Sequence, residues 1–278
     1  MKRIILTLAA LAITANAWAA FEDWQVGIRG NALAGAYTAV ADDIEAIQWN
    51  PAGLSDINGW QASVYGKRLW GIRGLVNGTA SIARSWGRWG SAGLSLQQVG
   101  SDWEKDQALS LAHGLALQKQ LSFGYGINLY RLWQDRFGSA VTAGIDIGLL
   151  AKIYRKWRIG CFGHNLNHPS LGTLSQYDLP SWMEVGVAYE PYSGVLGAAG
   201  ATKEVGRITR YKFGSEFAIV QERLKLRAGV LNEGNLTLYT LGFGVQALGV
   251  SVNYAFEGGH EALSGTHQFG LGYRWGGK

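Results

Sequence analysis

The stretch Arg29–Leu54, RGNALAGAYTAVADDIEAIQWNPAGL, differs in composition from everything that follows it. It is rich in glycine and alanine and contains three acids, Asp42, Asp43 and Glu45. Beyond it the chain becomes a succession of alternating apolar and polar residues separated by glycine-containing turns, which is the pattern of β-strands. A segment of small side chains ahead of so much β-structure predicts an insert packed inside a hollow fold.

Two motifs in this stretch, Gly35–Asp43 (GAYTAVADD) and Trp49–Leu54 (WNPAGL), closely resemble the N-terminal signature of the FadL/PorV-like outer-membrane proteins. The resemblance covers about 26 residues, and the rest of the chain is compared by architecture alone. It implies an all-β fold: a transmembrane antiparallel β-barrel of about 14 strands, with a short N-terminal hatch in its lumen. The hatch and gating residues that it implies are Gly35, Asp42, Asp43, Asn50, Pro51, Ala52 and Gly53.

The first twenty residues have the features of a cleaved secretory signal. Lys2 and Arg3 form a basic start, Ile4–Ile13 is apolar, and Ala17-Trp18-Ala19 is a small-x-small cleavage site. No later run of 18 or more apolar residues would anchor the chain in the inner membrane. The predicted organisation is a signal peptide at 1–20, a hatch or plug segment at 21–59, and a barrel at 60–278, located in the outer membrane of a Gram-negative-type bacterium.

The composition favours a membrane barrel over a soluble β-sandwich, the alternative with the same alternation. Forty glycines, 12 tryptophans and 12 tyrosines accompany a mean hydropathy near zero, as expected for apolar residues outside, small and polar ones inside, and aromatic girdles. Without the signal peptide the net charge falls from +5 to +3, which gives no basis for nucleic-acid binding and suits basic rims against lipid headgroups. The single cysteine, Cys161, excludes an intramolecular disulfide and is predicted to be a small buried or lipid-facing residue.

Alternation and turn signals predict fourteen strands after residue 60. Short connections alternate with longer ones, as in outer-membrane barrels, where short turns face the periplasm. The predicted strands are Trp60–Leu69, Leu75–Trp86, Trp89–Val99, Gln107–Gln118, Leu121–Trp133, Ala140–Tyr154, Trp157–His164, Ser181–Glu190, Val195–Lys203, Ile208–Val220, Leu224–Leu231, Leu236–Ala247, Val250–Glu257 and Thr266–Trp275.

One face of each predicted strand is apolar and the other carries the charges. A basic residue costs about 2–4 kcal/mol at the bilayer midplane, so the charged face is expected to line the lumen. Mixed charges at this density are expected to pair, and Asp42 and Asp43 to pair with arginines such as Arg210 or Arg227. Whether the hatch is a static plug or a moving gate remains open. The lumenal set is Asp146, Lys152, Glu184, Arg210, Lys212, Glu216, Lys225, Arg227, Glu257 and Arg274.

The sequence gives no support for an enzyme, a cofactor or a metal site. A hydrolase would need a serine with a histidine placed to take its proton, and no local motif joins the two residue types. His164, His168 and His260 are the candidates for a metal site, but exposed loop histidines are the favoured interpretation.

The longest connection, Asn165–Pro180, carries four hydrophobic residues that are candidate ligand contacts: Leu166, Leu171, Leu174 and Tyr177. Two functions follow from the resemblance. The favoured one is FadL-like uptake of hydrophobic small molecules, long-chain fatty-acid-like or aromatic, with lateral exit near Gly197 and Gly200 or Gly258-Gly259. The alternative is a PorV-like accessory barrel that binds exported proteins or a secretion machine; the WNPAGL motif and the chain length favour it.

Overall fold

The computed structural model describes Phe21 and residues 26–154, 156–172, 177–220, 223–259 and 265–277. The predicted signal peptide, Leu174 of the mouth loop and His260 lie outside these residues. Within the described part of the chain, no helix is long and apolar enough to cross a membrane.

Fourteen antiparallel strands pair in sequence order into a closed barrel, with β1 completing the ring against β16. Two further strands, β8 (Ser170–Leu171) and β9 (Tyr177–Asp178), form a small separate hairpin. The barrel strands are β1 (Trp60–Arg68), β2 (Val76–Ser85), β3 (Ser91–Gly100), β4 (Glu104–Gln118), β5 (Leu121–Gln134), β6 (Gly138–Ile153), β7 (Trp157–His164), β10 (Trp182–Tyr192), β11 (Val195–Glu204), β12 (Arg210–Ile219), β13 (Leu224–Glu233), β14 (Leu236–Ala247), β15 (Val250–Gly258) and β16 (Thr266–Trp275).

The predicted fold class is confirmed, and a β-sandwich is excluded because the sheet closes on itself. Short turns such as Leu248-Gly249 lie at one end of the barrel, here called the turn end, and the mouth loop 165–180 lies at the other, the loop end. The wall is continuous where the sequence suggested openings, since Gly197 and Gly200 pair on both sides and Gly258 pairs with Tyr239.

The outer face of the wall is apolar, as alternation predicts. Val141, Met183 and Phe269 are each more than 60% exposed on it, and Cys161 is also exposed there. At the turn end, Trp60 stacks on Trp275 with ring centroids 5.7 Å apart, which begins an aromatic belt of the kind that marks a membrane interface.

Residues 26–57, called the hatch below, lie inside the barrel. Short helices α1 (Ile28–Ala32) and α2 (Ala46–Trp49) and a 3₁₀ segment (Pro51–Asp56) are joined by turns, and most of their side chains are buried. Asn50 is extended, as expected before proline, and its Oδ1 accepts a hydrogen bond from the backbone N–H of Ala52 at 3.2 Å.

The mouth loop contributes to the wall, because β7 pairs with β6 only from Ile147 to Ile153. Above this point the Asn167 side chain takes the place of a strand: its Oδ1 accepts from Ile145 N at 2.8 Å and its Nδ2 donates to Ala143 O at 2.9 Å. Leu166 is carried outward by the same arrangement and lies against Gly163 on the outer face. Leu166 was predicted as a ligand contact at the mouth, and the structure corrects this.

Candidate functional site

The hatch backbone fits against inward-facing glycines of the wall. A Cβ at Gly114 or Gly124 would overlap the backbone of Pro51, and one at Gly160 would overlap Thr38. The sequence pointed to small residues of the hatch as the cause of close approach. Alternating glycines such as Gly124 were interpreted as those of a crowded barrel interior, but the sequence did not connect them to the hatch.

Two glycines of the hatch are required by their own positions. Gly35 has a φ of +78°, in the left-handed region, and faces Lys212. A Cβ at Gly53 would overlap the carbonyl oxygen of Ala41, so only glycine allows these two parts of the hatch to touch.

Asn50 connects the hatch to itself and to the wall. Its Nδ2 donates to the carbonyl of Thr38 at 2.8 Å and to that of Leu149, on β6, at 3.1 Å. The neighbouring Trp49 donates from Nε1 to Val26 O at 2.8 Å. Pro51 and Ala52 follow directly and are also buried, so the WNPAGL motif anchors the hatch against β5 and β6.

The turn-end side of the hatch is held by charges. Arg29 lies 2.5 Å from Asp42 and 3.2 Å from Asp43, and its Nε lies 2.9 Å from Glu216 on the wall. These residues, with Arg158 at 3.1 Å from Asp42 and Arg227 at 2.6 Å from Glu216, are called the inner ionic cluster.

The partners of Asp42 and Asp43 differ from those predicted. Arg227 pairs with Glu216, and Arg210 pairs at 3.2 Å with Glu204 near the loop end. Asp42 does pair with a lumenal arginine, as predicted, but that arginine is Arg158, and Arg29 on the first helix of the hatch lies close enough to pair with both acids.

The pKa values of two carboxyl groups in this region are shifted in opposite directions. Burial raises the pKa of Asp42, but the guanidinium groups of Arg29 and Arg158 outweigh burial and hold that pKa well below its usual range. Burial and then the Asp43 carboxylate raise the pKa of Glu45 to about 7. Glu45 nevertheless accepts backbone hydrogen bonds from Arg29 at 3.0 Å and Gly30 at 2.8 Å.

A second buried ion pair joins two strands. Lys212 Nζ lies 2.6 Å from Glu184 Oε2, and Thr38 of the hatch donates a hydrogen bond to the other Glu184 oxygen. Asp146 is also buried in the lumen, whereas Arg274 is exposed at the turn-end rim. Among the remaining predicted lumenal charges, Lys152 lies 2.6 Å from Asp56, and Lys225 lies 3.9 Å from Glu216.

The loop-end side of the lumen is aromatic. Phe21, Tyr130, Leu171, Leu179 and Trp182 form one buried apolar cluster, here called the outer aromatic cluster. Of the predicted ligand-loop residues, Leu171 belongs to it and Tyr177 packs against it. The Phe21 and Tyr130 rings meet edge to face at 5.0 Å.

A polar network supports this cluster from below. Asp146 accepts hydrogen bonds from Asn128 Nδ2 and from Asn165 N, and Tyr130 OH donates to Asn165 Oδ1 at 2.9 Å. His164 was expected among exposed loop histidines but is buried, with Nδ1 3.0 Å from Asp146 Oδ1. The difference arises because the mouth loop folds inward over the end of β7.

A cavity of about 180 Å³ lies between the hatch and the mouth loop. Trp49 and Trp182 contribute aromatic walls, and Leu231 and Leu238 add apolar ones, while Lys67, Glu204, Arg207, Arg210 and Glu257 make the rest polar. On the turn-end side of the hatch are two smaller cavities of about 130 and 70 Å³, lined by the inner ionic cluster and its neighbours. The cavities on both sides of the hatch are therefore lined by charged side chains, and the one in front of it also has the apolar surface of Trp49, Trp182, Leu231 and Leu238.

No protein-family model and no curated protein matches this sequence. Solved structures do match the fold. The Pseudomonas putida toluene transporter TodX has a TM-score of 0.70 at 13% identity over 90% of this chain and 98% of its own. The Ralstonia pickettii toluene transporter TbuX has a TM-score of 0.69 at 11% identity over 92% and 100%. A Pseudomonas aeruginosa FadL homologue has a TM-score of 0.67 at 11% identity over 90% and 98%. The chain thus has the fold of FadL/TodX-type hydrocarbon transporter barrels.

Proposed function

We propose that this protein is an outer-membrane channel for small hydrophobic molecules, with the cavity between hatch and mouth loop as the binding site. That cavity, of about 180 Å³, is the observation that carries the proposal. An apolar cavity of roughly 150 Å³ holds a benzene molecule in another protein, so the space suits one aromatic ring. A long acyl chain needs a longer site, and the monoaromatic class is the cargo that fits.

The route begins at the outer aromatic cluster. This cluster adjoins the cavity, because Trp182 belongs to both. When an aromatic guest enters, contacts between protein rings are lost and similar contacts between those rings and the guest are formed. Entry therefore costs little packing energy. Passage beyond the cavity requires the hatch to shift, because residues 26–57 fill the bore.

The fold likeness to two toluene transporters supports this proposal. The accessory role in protein export has no observation in its favour among the described residues or the comparisons. The charged bore behind the hatch belongs to a path that opens only when hatch and wall separate, which is the role we propose for it.

Uptake of labelled toluene and of a labelled long-chain fatty acid into proteoliposomes tests the proposal. Trp182→Ala is expected to lower toluene uptake about fivefold or more, whereas Trp89→Ala, a control at a residue 69% exposed near the turn end, is expected to leave it unchanged. Equal uptake by the two variants, or uptake by neither variant nor parent, would contradict the channel.

A double variant of Asn50→Ala and Pro51→Ala tests the hatch separately. It removes the hydrogen bonds from Asn50 to Thr38 and Leu149 and the rigid turn after it. We expect altered uptake of hydrophobic solutes. Unchanged uptake together with loss of a protein complex would favour the accessory barrel instead.

A further inference from the structure

The outer face of the wall near the loop end contains a groove of about 760 Å³, larger than the lumenal cavities described above. Outward side chains such as Ala80, Leu96 and Leu129 line it. The outward Gly78 leaves space there, since a Cβ on it would meet no atom within 4 Å. The groove is therefore a depression in the surface that faces lipid.

Strand register places the outward residues of β1–β6 in rows across this surface. The row nearest the loop end is Arg68, Val76, Gly100, Lys105, Trp133 and Ser139. The next is Gly66, Gly78, Gln98, Gln107, Arg131 and Val141. The third is Val64, Ala80, Leu96, Leu109, Leu129 and Ala143. Polarity falls in steps from cationic to apolar, and no row contains an acid.

Two cationic positions flank the groove: one is formed by Lys105 together with Arg131, and the other is Arg68. Lys105 and Arg131 are diagonal neighbours on paired strands, with about 7–8 Å between their backbones. Arg68 stands three strands away from Lys105, or about 14 Å. Within the described residues none of the three forms an ion pair with an acid.

Polar contacts hold one of these positions in place. Arg131 Nη1 donates to Gln107 Oε1 at 3.4 Å, and Gln107 Nε2 donates to Gln98 Oε1 at 2.8 Å. Lys105 Nζ lies 5.3 Å from the Trp133 ring centroid. These cations thus sit at the depth where aromatic rings and headgroups meet, directly above apolar wall.

The opposite side of the barrel lacks this arrangement. At the corresponding level of β10–β13 the outward residues are Met183 and Lys203, then Val185, Ala201, Tyr211 and Asn232. The single cation, Lys203, donates to the carbonyl of Arg207 at 2.6 Å. Clustered positive charge beside an open groove is specific to β1–β6.

We propose that this groove binds a phosphorylated, multiply acylated glycolipid of the outer leaflet. Phosphates would lie at Lys105 with Arg131 and at Arg68, and an acyl chain would lie over Gly66, Gly78 and Ala80. Charge complementarity carries the assignment: a lipid with two phosphates matches two cationic positions that form no ion pair with an acid among the residues the structure describes. The inference needs the loop end to face outward and does not depend on transport.

The test is native mass spectrometry of the full-length purified protein in detergent, titrated with three probes: bisphosphorylated lipid A, the same lipid A with its phosphates removed, and phosphatidylglycerol. Bisphosphorylated lipid A is expected to bind about tenfold or more tightly than either other probe. Because this comparison uses the unaltered protein, it stands whether or not any variant folds.

Variants locate the site. Lys105→Gln with Arg131→Gln is expected to weaken lipid A binding about tenfold or more, while Lys203→Gln, the matched cation on the opposite wall, leaves it unchanged. Gly78→Leu fills the groove without altering charge and is expected to weaken binding of all acylated probes. Equal loss from Lys203→Gln, no loss from the double variant, or equal affinity for the dephosphorylated lipid would overturn the proposal. Equal affinity for phosphatidylglycerol would overturn the glycolipid assignment.

Discussion

The two ends of the bore are filled by different kinds of contact. At the turn end the inner ionic cluster joins Arg29, Asp42 and Asp43 of the hatch to Glu216 and Arg158 of the wall. At the loop end the outer aromatic cluster closes the lumen with packed rings and leucines. A hydrophobic guest can replace ring contacts at little cost, but it cannot replace buried ion pairs. The contacts at the loop end are therefore exchangeable with a hydrophobic guest, whereas the ion pairs at the turn end are not.

The largest effect is expected from Arg29→Gln. It removes the cation shared by Asp42, Asp43 and Glu216, of which Asp43 and Glu216 are buried, and breaking a buried pair in this way costs about 3–5 kcal/mol of local stability. Hydrogen exchange of the hatch amides is expected to accelerate about a hundredfold or more, and single-channel conductance to rise.

The matched control is Arg136→Gln, which removes a cation whose side chain is 84% exposed in a loop and pairs with Asp135. Its hatch amides should exchange as in the parent. If the hatch amides of Arg29→Gln also exchanged as in the parent, the inner ionic cluster would not hold the hatch.

A smaller effect is expected from Gly124→Ala. The new methyl group overlaps the backbone of Pro51 and Ala52, and overpacking of this kind costs about 1–3 kcal/mol. The destabilisation is measured as a lower temperature at which the folded barrel loses its distinct mobility in gel electrophoresis. Gly78→Ala, on the outer face with open space around it, is the control and should be neutral. Equal sensitivity of both variants would show that the hatch does not press on the wall.

The smallest effect is a pH dependence of the hatch. The pKa of Glu45 is raised to about 7 from an ordinary 4.5. Its stabilising contribution is therefore complete below the ordinary value and is lost as pH rises through about 7. Asp42 adds no slope there, because its pKa is lowered and it stays ionised in both states.

The protection factors of the hatch amides, which divide out the intrinsic base-catalysed rise of exchange with pH, should fall by about tenfold or more between pH 5 and 8. Glu45→Gln is expected to flatten the profile, whatever its effect on absolute stability. A profile that keeps its slope in Glu45→Gln would assign the titration to another group.

Much of the barrel follows from the sequence. Period-two alternation defines which side of each strand meets lipid, and three predicted strands, Trp157–His164, Leu236–Ala247 and Thr266–Trp275, have the bounds seen in the structure. Bounds elsewhere shift by up to three residues, as for β4, which begins at Glu104 rather than Gln107. Membrane barrels are predictable in this respect because lipid penalises every error of parity.

The contacts of the site were less predictable. Parity placed Glu216 and Arg227 on one face, but nothing local indicated that Arg29 would reach Glu216 across 187 positions of sequence. The positions of His164 and Leu166 were predicted wrongly for a related reason. The direction of a loop depends on which backbone N–H and carbonyl groups of the wall need hydrogen-bond partners. Because β7 is short, it leaves such groups of β6 without a strand partner, and the loop supplies them.

That short strand limits how the mouth can work. Because Asn167 supplies hydrogen bonds to backbone groups of β6 at a depth where lipid offers none, this part of the loop cannot swing away without exposing an N–H and a carbonyl to hydrocarbon. The part of the loop at Asn167 is therefore a fixed part of the barrel wall and does not act as a lid. Any opening at the loop end must therefore pivot beyond Asn167.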